Sequence, residues 1–351
     1  MTKKKLLALF LSIMMVMTFV TGCGSSTDVS SSVEQATEHV VTDMAGREVT
    51  IPADVEKIGT FGSIGVINAF VELMGEGDKI CNEMSENFTK SDKWAYQYKF
   101  APQLKECPVF EVGGEVDIET VLATAPDVCI VMSQDLVDTL EAQGLTVVYI
   151  EWNSVDDVKD CVNLLGEVFG KEDVAEDYCD YFDKMVAKAN DVTKDLADAD
   201  KKTVVYGNIL EYTQPHSIAE WWIAQAGGIS VTDDGREDGS REYTAEDLLG
   251  WNPEYMFISS ASDKAEIEAD TVLSQIQAVK DGNIYAVPTV AHVWGNRTPE
   301  QPLTVLWATN KLYPDLYTED ELSEDIAYFY SHFYNYEMSD DEIDGIINYG
   351  A

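Results

Sequence analysis

Two short stretches of this 351-residue chain combine side chains that could hold a metal or an organic ligand: Tyr212 with His216, and His292 with Trp294 and Arg297. Neutral imidazole and phenolate are good iron ligands. A guanidinium fork pairs with a carboxylate or another anionic oxygen through two parallel hydrogen bonds. Arginine is scarce, occurring only at 47, 236, 241 and 297, and Arg297 stands in a loop between Gly295 and Pro299. An ion pair with one of the many acids is the alternative use for it. The four histidines include no two at a metal-type spacing, whereas a site for bare zinc or manganese gathers three or four His and carboxylate ligands. A metal that arrives already chelated is therefore expected, with His216 or His292 at most an axial ligand and no protein metal site. His39 and His332 have nothing to recommend them.

The elements that must position these residues come in two similar sets. A glutamate stands seven residues before a proline-acid pair and a short apolar run twice: Glu119 before Pro126-Asp127, and Glu246 before Pro253-Glu254. Each copy predicts a short helix ended by proline and followed by a buried parallel strand. Acids near helix starts are also favoured simply by the helix dipole. Strand and helix patterns alternate from residue 57 to 150 and again from 203 to 287, which predicts α/β units with helices on both faces of parallel sheets. Between them, residues 172–196 run without Gly or Pro and carry one apolar stripe, predicting a single long helix that joins two lobes. The expected divisions are 1–22, 23–39, 40–171, 172–198 and 199–351. Ligands of open parallel sheets sit beyond the carboxyl ends of the strands. That rule selects Phe61 and Ser63, Trp94 with Tyr96 and Tyr98, Ser133-Gln134, Tyr212 with His216, Ser259-Ser260, and the loop with His292, Trp294 and Arg297. Aromatics on loops suit a large organic ligand, with ordinary packing as the alternative for Trp94 and Tyr98. Trp221 and Trp222 lie in a helix pattern, where burial suits at least one.

The first residues form a secretory signal: three lysines, an apolar stretch from Leu6 to Val20 too short to span a bilayer comfortably, and a small residue before Cys23. It resembles a bacterial lipoprotein signal, in which Cys23 becomes the lipidated first residue; an uncleaved anchor is the alternative. The polar segment that follows reads as a tether. Removing residues 1–22 leaves 20 basic against 64 acidic residues, a formal charge of −44. Nucleic acid and anionic lipid surfaces are poor partners for such a chain. The five remaining cysteines are odd in number and widely spaced, which predicts neither a disulfide framework nor a zinc site.

Residues 41–52 (VTDMAGREVTIP), Val112-Gly113-Gly114, the two glutamate motifs, residues 278–288 (AVKDGNIYAVP) and Leu306-Trp307 before Tyr313-Pro314 together resemble the substrate-binding proteins of bacterial ABC importers for iron complexes and cobalamin. The likeness covers about residues 40 to 348. It implies two Rossmann-like lobes joined by one long helix, a shallow cleft and little hinge motion. It also implies an extracytoplasmic, lipid-anchored monomer without intrinsic cofactor, delivering an iron complex, haem or a corrinoid to a permease and its ATPase. Glu119 and Glu246 match the family's permease-docking glutamates, and an arginine at the place of Arg297 commonly contacts the ligand's acidic groups. Two rivals stand beside this reading: a tetrapyrrole metal chelatase on the same bilobal plan, which a secretory signal argues against, and direct capture of a metal ion. No phosphate loop, Ser-His-Asp order or nucleophile elbow is present.

Overall fold

The computed structural model describes residues 37–62, 65–151, 154–236 and 239–350. The expected leader and most of the tether, with Cys23, lie outside the described residues, and so does Ser63. His39, expected in the tether, instead opens the strand His39–Thr42, which pairs antiparallel with Glu48–Ile51. The turn between them is locked by the buried carboxylate of Asp43. It accepts the backbone N–H groups of Ala45, Arg47 and Tyr149 as well as the guanidinium of Arg47.

The fold is α/β, with two lobes of parallel sheet flanked by helices. In the first lobe Ile58–Phe61, Val128–Val131 and Val147–Tyr149 lie in that order, and every residue of the first two strands is buried. In the second the order is Ile229–Ser230, Thr203–Gly207, Tyr255–Ile258, Ile284–Ala286, all parallel. Within the alternating pattern of residues 57–150, the stretch at 79–82 also predicts a strand, and it is reduced to one bridge between Ile80 and Ile58. A side chain completes the sheet edge instead: Asn82 Oδ1 accepts the N–H of Thr60 at 2.8 Å, and Asn82 Nδ2 donates to the Thr60 carbonyl at 3.0 Å.

The two glutamate motifs fold alike. Ile118–Thr124 and Ala245–Trp251 are both seven-residue helices, opened by the side chains of Asp117 and Thr244, which accept from Thr120 N and Asp247 N. Each ends one residue before its proline, at Ala125 and Asn252, whose φ of 53° and 45° is left-handed. Proline then only prevents resumption of the helix. The acid after each proline fastens the neighbouring strand. Asp127 Oδ2 accepts the N–H groups of Glu56 and Lys57 at 2.9 and 2.8 Å, while Glu254 Oε2 accepts from Thr203 N and Thr203 Oγ1 at 3.1 and 3.3 Å.

The lobes are joined by the helix Glu172–Thr193, 22 residues and thus about 33 Å long, ending three residues before the predicted boundary. Its buried stripe is Ala175, Tyr178, Tyr181, Phe182, Met185, Ala189 and Thr193. It packs on the helices Asp156–Phe169 and Gln301–Leu312. One continuous apolar core runs from Ile58 and Val128 of the first sheet, through Tyr178 and Met185, to Val204 and Phe257 of the second. The last two helices, Glu319–Phe333 and Asp340–Ile347, return to the first lobe. Tyr334 Oη there donates to the Ala69 carbonyl at 3.0 Å, and Lys99 pairs with Glu342 at 2.5 Å.

Candidate ligand-binding site

The two lobes meet where Gln97 Nε2 donates to the Ala291 carbonyl at 2.6 Å and the Trp94 ring lies 5.5 Å from that of His292. A groove of about 620 Å³ opens between the lobes. Its floor is Phe182, Asp183 and Val186 of the long helix. Its walls are Ser154, Val155, Asp156 and Lys159 from one lobe and Ser217, Trp221, Arg236 and Arg297 from the other. The two tryptophans of the helix Ile218–Gln225 divide their roles. Trp222 is fully buried against Tyr206 and Phe257, while Trp221 is half-buried, lies 6.1 Å from the Phe182 ring and lines the groove.

Arg297 ends the loop of residues 289–297 and is half-buried. The loop turns tightly: the Trp294 N–H donates to the Pro288 carbonyl and Val290 N–H to that of His292. Gly295 is required there by close approach, since a Cβ would stand 2.5 Å from the Tyr206 hydroxyl. His216 lies close enough to Arg297 to feel its charge; burial first, and that guanidinium second, hold its imidazole below the ordinary histidine range. His292 is buried more completely. Burial, with Lys93 second, pushes its pKa down to about 3. Tyr212 adopts a left-handed φ of 52° in a loop that also carries the His216 backbone, held by Gln214 Nε2 at 3.1 Å. Among the described residues no group of three or more His, Cys, Asp or Glu side chains is arranged to hold a metal ion.

The sequence-selected residues do not all gather at this opening. Tyr212, His216, Ser259, Ser133 and Arg297 are half-buried on loops at the carboxyl ends of strands. Phe61 has no exposed surface, because its strand position points it into the sheet layer, where it stacks on Phe110 at 5.4 Å. Trp294 is likewise fully buried. Trp94 is buried in a contact between the lobes, 5.5 Å from the His292 ring and packed with Met84 and Val293. Tyr96 faces away, against Phe100 and Tyr336 near the C-terminal helices. Ser63 lies outside the described residues.

Residues missed from sequence are Glu83, which accepts the Tyr98 hydroxyl at 3.0 Å beside a cavity of about 20 Å³, and the paired ions of the groove. Arg236 meets Glu220 at 2.8 Å and Lys159 meets Asp183 at 2.6 Å. Glu220, the residue before Trp221, was visible only as an acid in a helix, and nothing local marked its partner. Glu119 and Glu246 are both exposed at the second position of their twin helices, away from the groove residues in chain and element.

A model of the family described as periplasmic binding proteins matches residues 78–291, more than half of the chain. The iron(3+)-hydroxamate-binding protein YxeB of Bacillus subtilis is 25% identical over 312 residues, covering 81% of this chain and 89% of the relative. The molybdate-binding protein MolA of Haemophilus influenzae is 22% identical, covering 87% and 93%. Among solved structures, a periplasmic solute-binding protein from Veillonella parvula superimposes with a TM-score of 0.77 at 25% identity, covering 89% of this chain and 97% of that one. Molybdate-bound MolA gives 0.73 at 21% identity, covering 86% and 99%.

Proposed function

The chain belongs to the periplasmic binding protein family, the solute receptors of ABC importers, and from that premise we propose that it captures an iron(III) complex of an organic chelator in the cleft between its lobes. The observation that carries this reading is the inter-lobe groove, where the aromatic faces of Trp221 and Phe182 meet Arg297 around about 620 Å³. That volume lies within the roughly 300–1,000 Å³ of pockets for organic ligands and far exceeds a bare ion. Arg297 binds the complex's anionic oxygens, with His216 beside it; Tyr212, Ser133 and Ser259 stand on loops at the carboxyl ends of strands but do not line the groove. Trp94 supports the loop that carries His292 and Val293 from behind. The similarity to an iron-hydroxamate-binding protein supports the same chemistry; haem and corrinoids are the other chelates this opening would suit.

The receptor reading includes a lipid anchor at Cys23, because two acyl chains suffice for stable anchoring and would hold the folded part just outside a membrane. It also includes docking of exposed Glu119 and Glu246 on arginines of the permease. The family and fold are those of substrate-binding proteins.

The test is a fluorescence titration of the purified protein with four probes: the iron(III) complex of desferrioxamine, haem, cyanocobalamin and molybdate. Saturable one-to-one quenching by an intact chelate is expected. Binding of molybdate alone would replace this reading with oxyanion capture, and, in a separate incubation with metal-free porphyrin and iron, turnover to the metalloporphyrin would replace it with the enzyme.

A further inference from the structure

The loop of residues 289–297 carries Arg297 to the groove, yet its internal hydrogen bonds close a turn without fixing where that turn points. Its orientation is set from outside. The carboxylate of Glu300, fully buried, accepts the N–H of Ala291 on Oε1 at 2.9 Å and the N–H of His292 on Oε2 at 2.7 Å. The same Oε1 accepts the hydroxyl of Tyr330, from the C-terminal helix that packs back on the first lobe. From across the cleft, fully buried Gln97 donates through Nε2 to the Ala291 carbonyl at 2.6 Å and to the Gly65 carbonyl, at the start of the helix Val66–Leu73, at 3.2 Å.

Burying an acid is costly, and an apolar side chain of similar size would be cheaper for stability alone. Among the described residues, the groups that act on Glu300 are the peptide N–H groups of Ala291 and His292, the Tyr330 hydroxyl and the Trp294 indole, none of them a cation. A carboxylate is the side chain that can accept from two successive peptide N–H groups with two equivalent oxygens. Its chemistry therefore matches a holding role for the backbone at 291–292.

We propose that Glu300 is the positioning residue of the ligand cleft: with Gln97 and Tyr330 it latches the loop bearing Arg297 to both lobes, and so sets ligand affinity without touching ligand. This rests on the reading that the cleft holds the ligand. The latch also explains why Trp94 and His292 meet across the lobes, since the same turn presents Val293 and His292 to Trp94.

The experiment compares the wild type with Glu300→Gln, which keeps shape but turns one acceptor into a donor. Amide hydrogen exchange is read without ligand, and affinity is read with the iron(III) complex of desferrioxamine as probe. The expected result is at least about tenfold faster exchange in residues 289–297, unchanged exchange in Glu172–Thr193, and about tenfold weaker binding, as loss of one charge-assisted bond implies. Unchanged exchange in the loop would overturn the proposal, and so would acceleration shared equally by the long helix, which marks a purely structural role. If the wild type binds no probe, the functional reading falls while the exchange comparison still decides the latch. Should Glu300→Gln not fold, Tyr330→Phe removes only the hydroxyl donor and carries the same comparison.

Discussion

The hydroxyl of Tyr178, in the second turn of the long helix, donates to the carbonyl of Pro299 at 2.8 Å. One bond thus ties the inter-lobe strut to the segment that follows Arg297. Because the core is continuous across both lobes and a helix cannot absorb the dihedral changes of a loop hinge, closure on ligand should be small. Scattering curves with and without the saturating iron(III) complex of desferrioxamine are expected to superimpose nearly. A contraction like that of a loop-hinged binding protein would count against the strut. Tyr178→Phe leaves a buried carbonyl unpaired, so thermal unfolding should show a loss of about 1–3 kcal/mol.

Arg297→Ala should weaken binding of the same complex by about 1.5–3 kcal/mol, the usual value of a charge-assisted bond, with little change in melting temperature because the side chain is only half-buried. Tryptophan fluorescence reads this directly, since Trp221 lines the groove. Unchanged affinity with a lowered melting temperature would make Arg297 a structural residue.

Glu300 links the cleft to pH. Burial pushes its carboxyl up to about 7, against an ordinary 4.5. A raised folded value means that the folded chain binds the proton more tightly, so this contribution to stability is complete below pH 4.5 and is lost as pH rises through 7. The full span is on the order of 3 kcal/mol. Glu72, whose carboxyl burial also raises, acts with the same sign. Denaturant unfolding from pH 4.5 to 8 should therefore show a shallower decline in Glu300→Gln than in the wild type. Parallel profiles would remove Glu300 from the titration.

The two proline-acid pairs make a structural prediction of their own. Asp127 holds two backbone N–H groups at the entry to the first strand, so Asp127→Ala should destabilise by about 1–3 kcal/mol while leaving ligand affinity intact. Chemical denaturation of the variant measures the first, and the probe titration measures the second.

Periodicity made most elements legible: Tyr255–Ile258 and the twin helices fall where the apolar pattern puts them, because burial on one stripe or on both faces of a strand leaves a local trace. What a side chain does across long sequence separation leaves none. Asn82 replaces a strand by bonding Thr60, 22 residues away, and no pattern around it says so. The loop rule picks out segments after strands but not how the residues in them are turned. One step of strand parity sends Phe61 into the core, and a tight turn buries Trp294 while presenting Arg297. Glu300 reads in sequence as one more acid before a helix, and only the fold shows the two amides it holds.

The last prediction concerns Glu119 and Glu246, which occupy equivalent exposed positions in the twin helices. If each pairs with permease arginines, the double change to alanine should leave ligand affinity untouched and depress uptake. Partly desolvated interfacial pairs are worth ~1.5–5 kcal/mol each, enough to reduce docking by well over tenfold. General loss of negative charge is the competing cause in so acidic a chain, and the control must remove equal charge without structural cost. Glu319 and Glu321 are unsuitable for it: Glu321 closes a capping box with Thr318, and Glu319 lies 3.6 Å from Lys311. Exposed Glu176 and Glu268 serve instead. Uptake of the iron(III) complex by cells carrying either double variant separates the causes. Loss in the motif variant alone supports docking at the twin helices; equal loss in both reduces the effect to bulk charge, and normal uptake by the motif variant removes these glutamates from the interface.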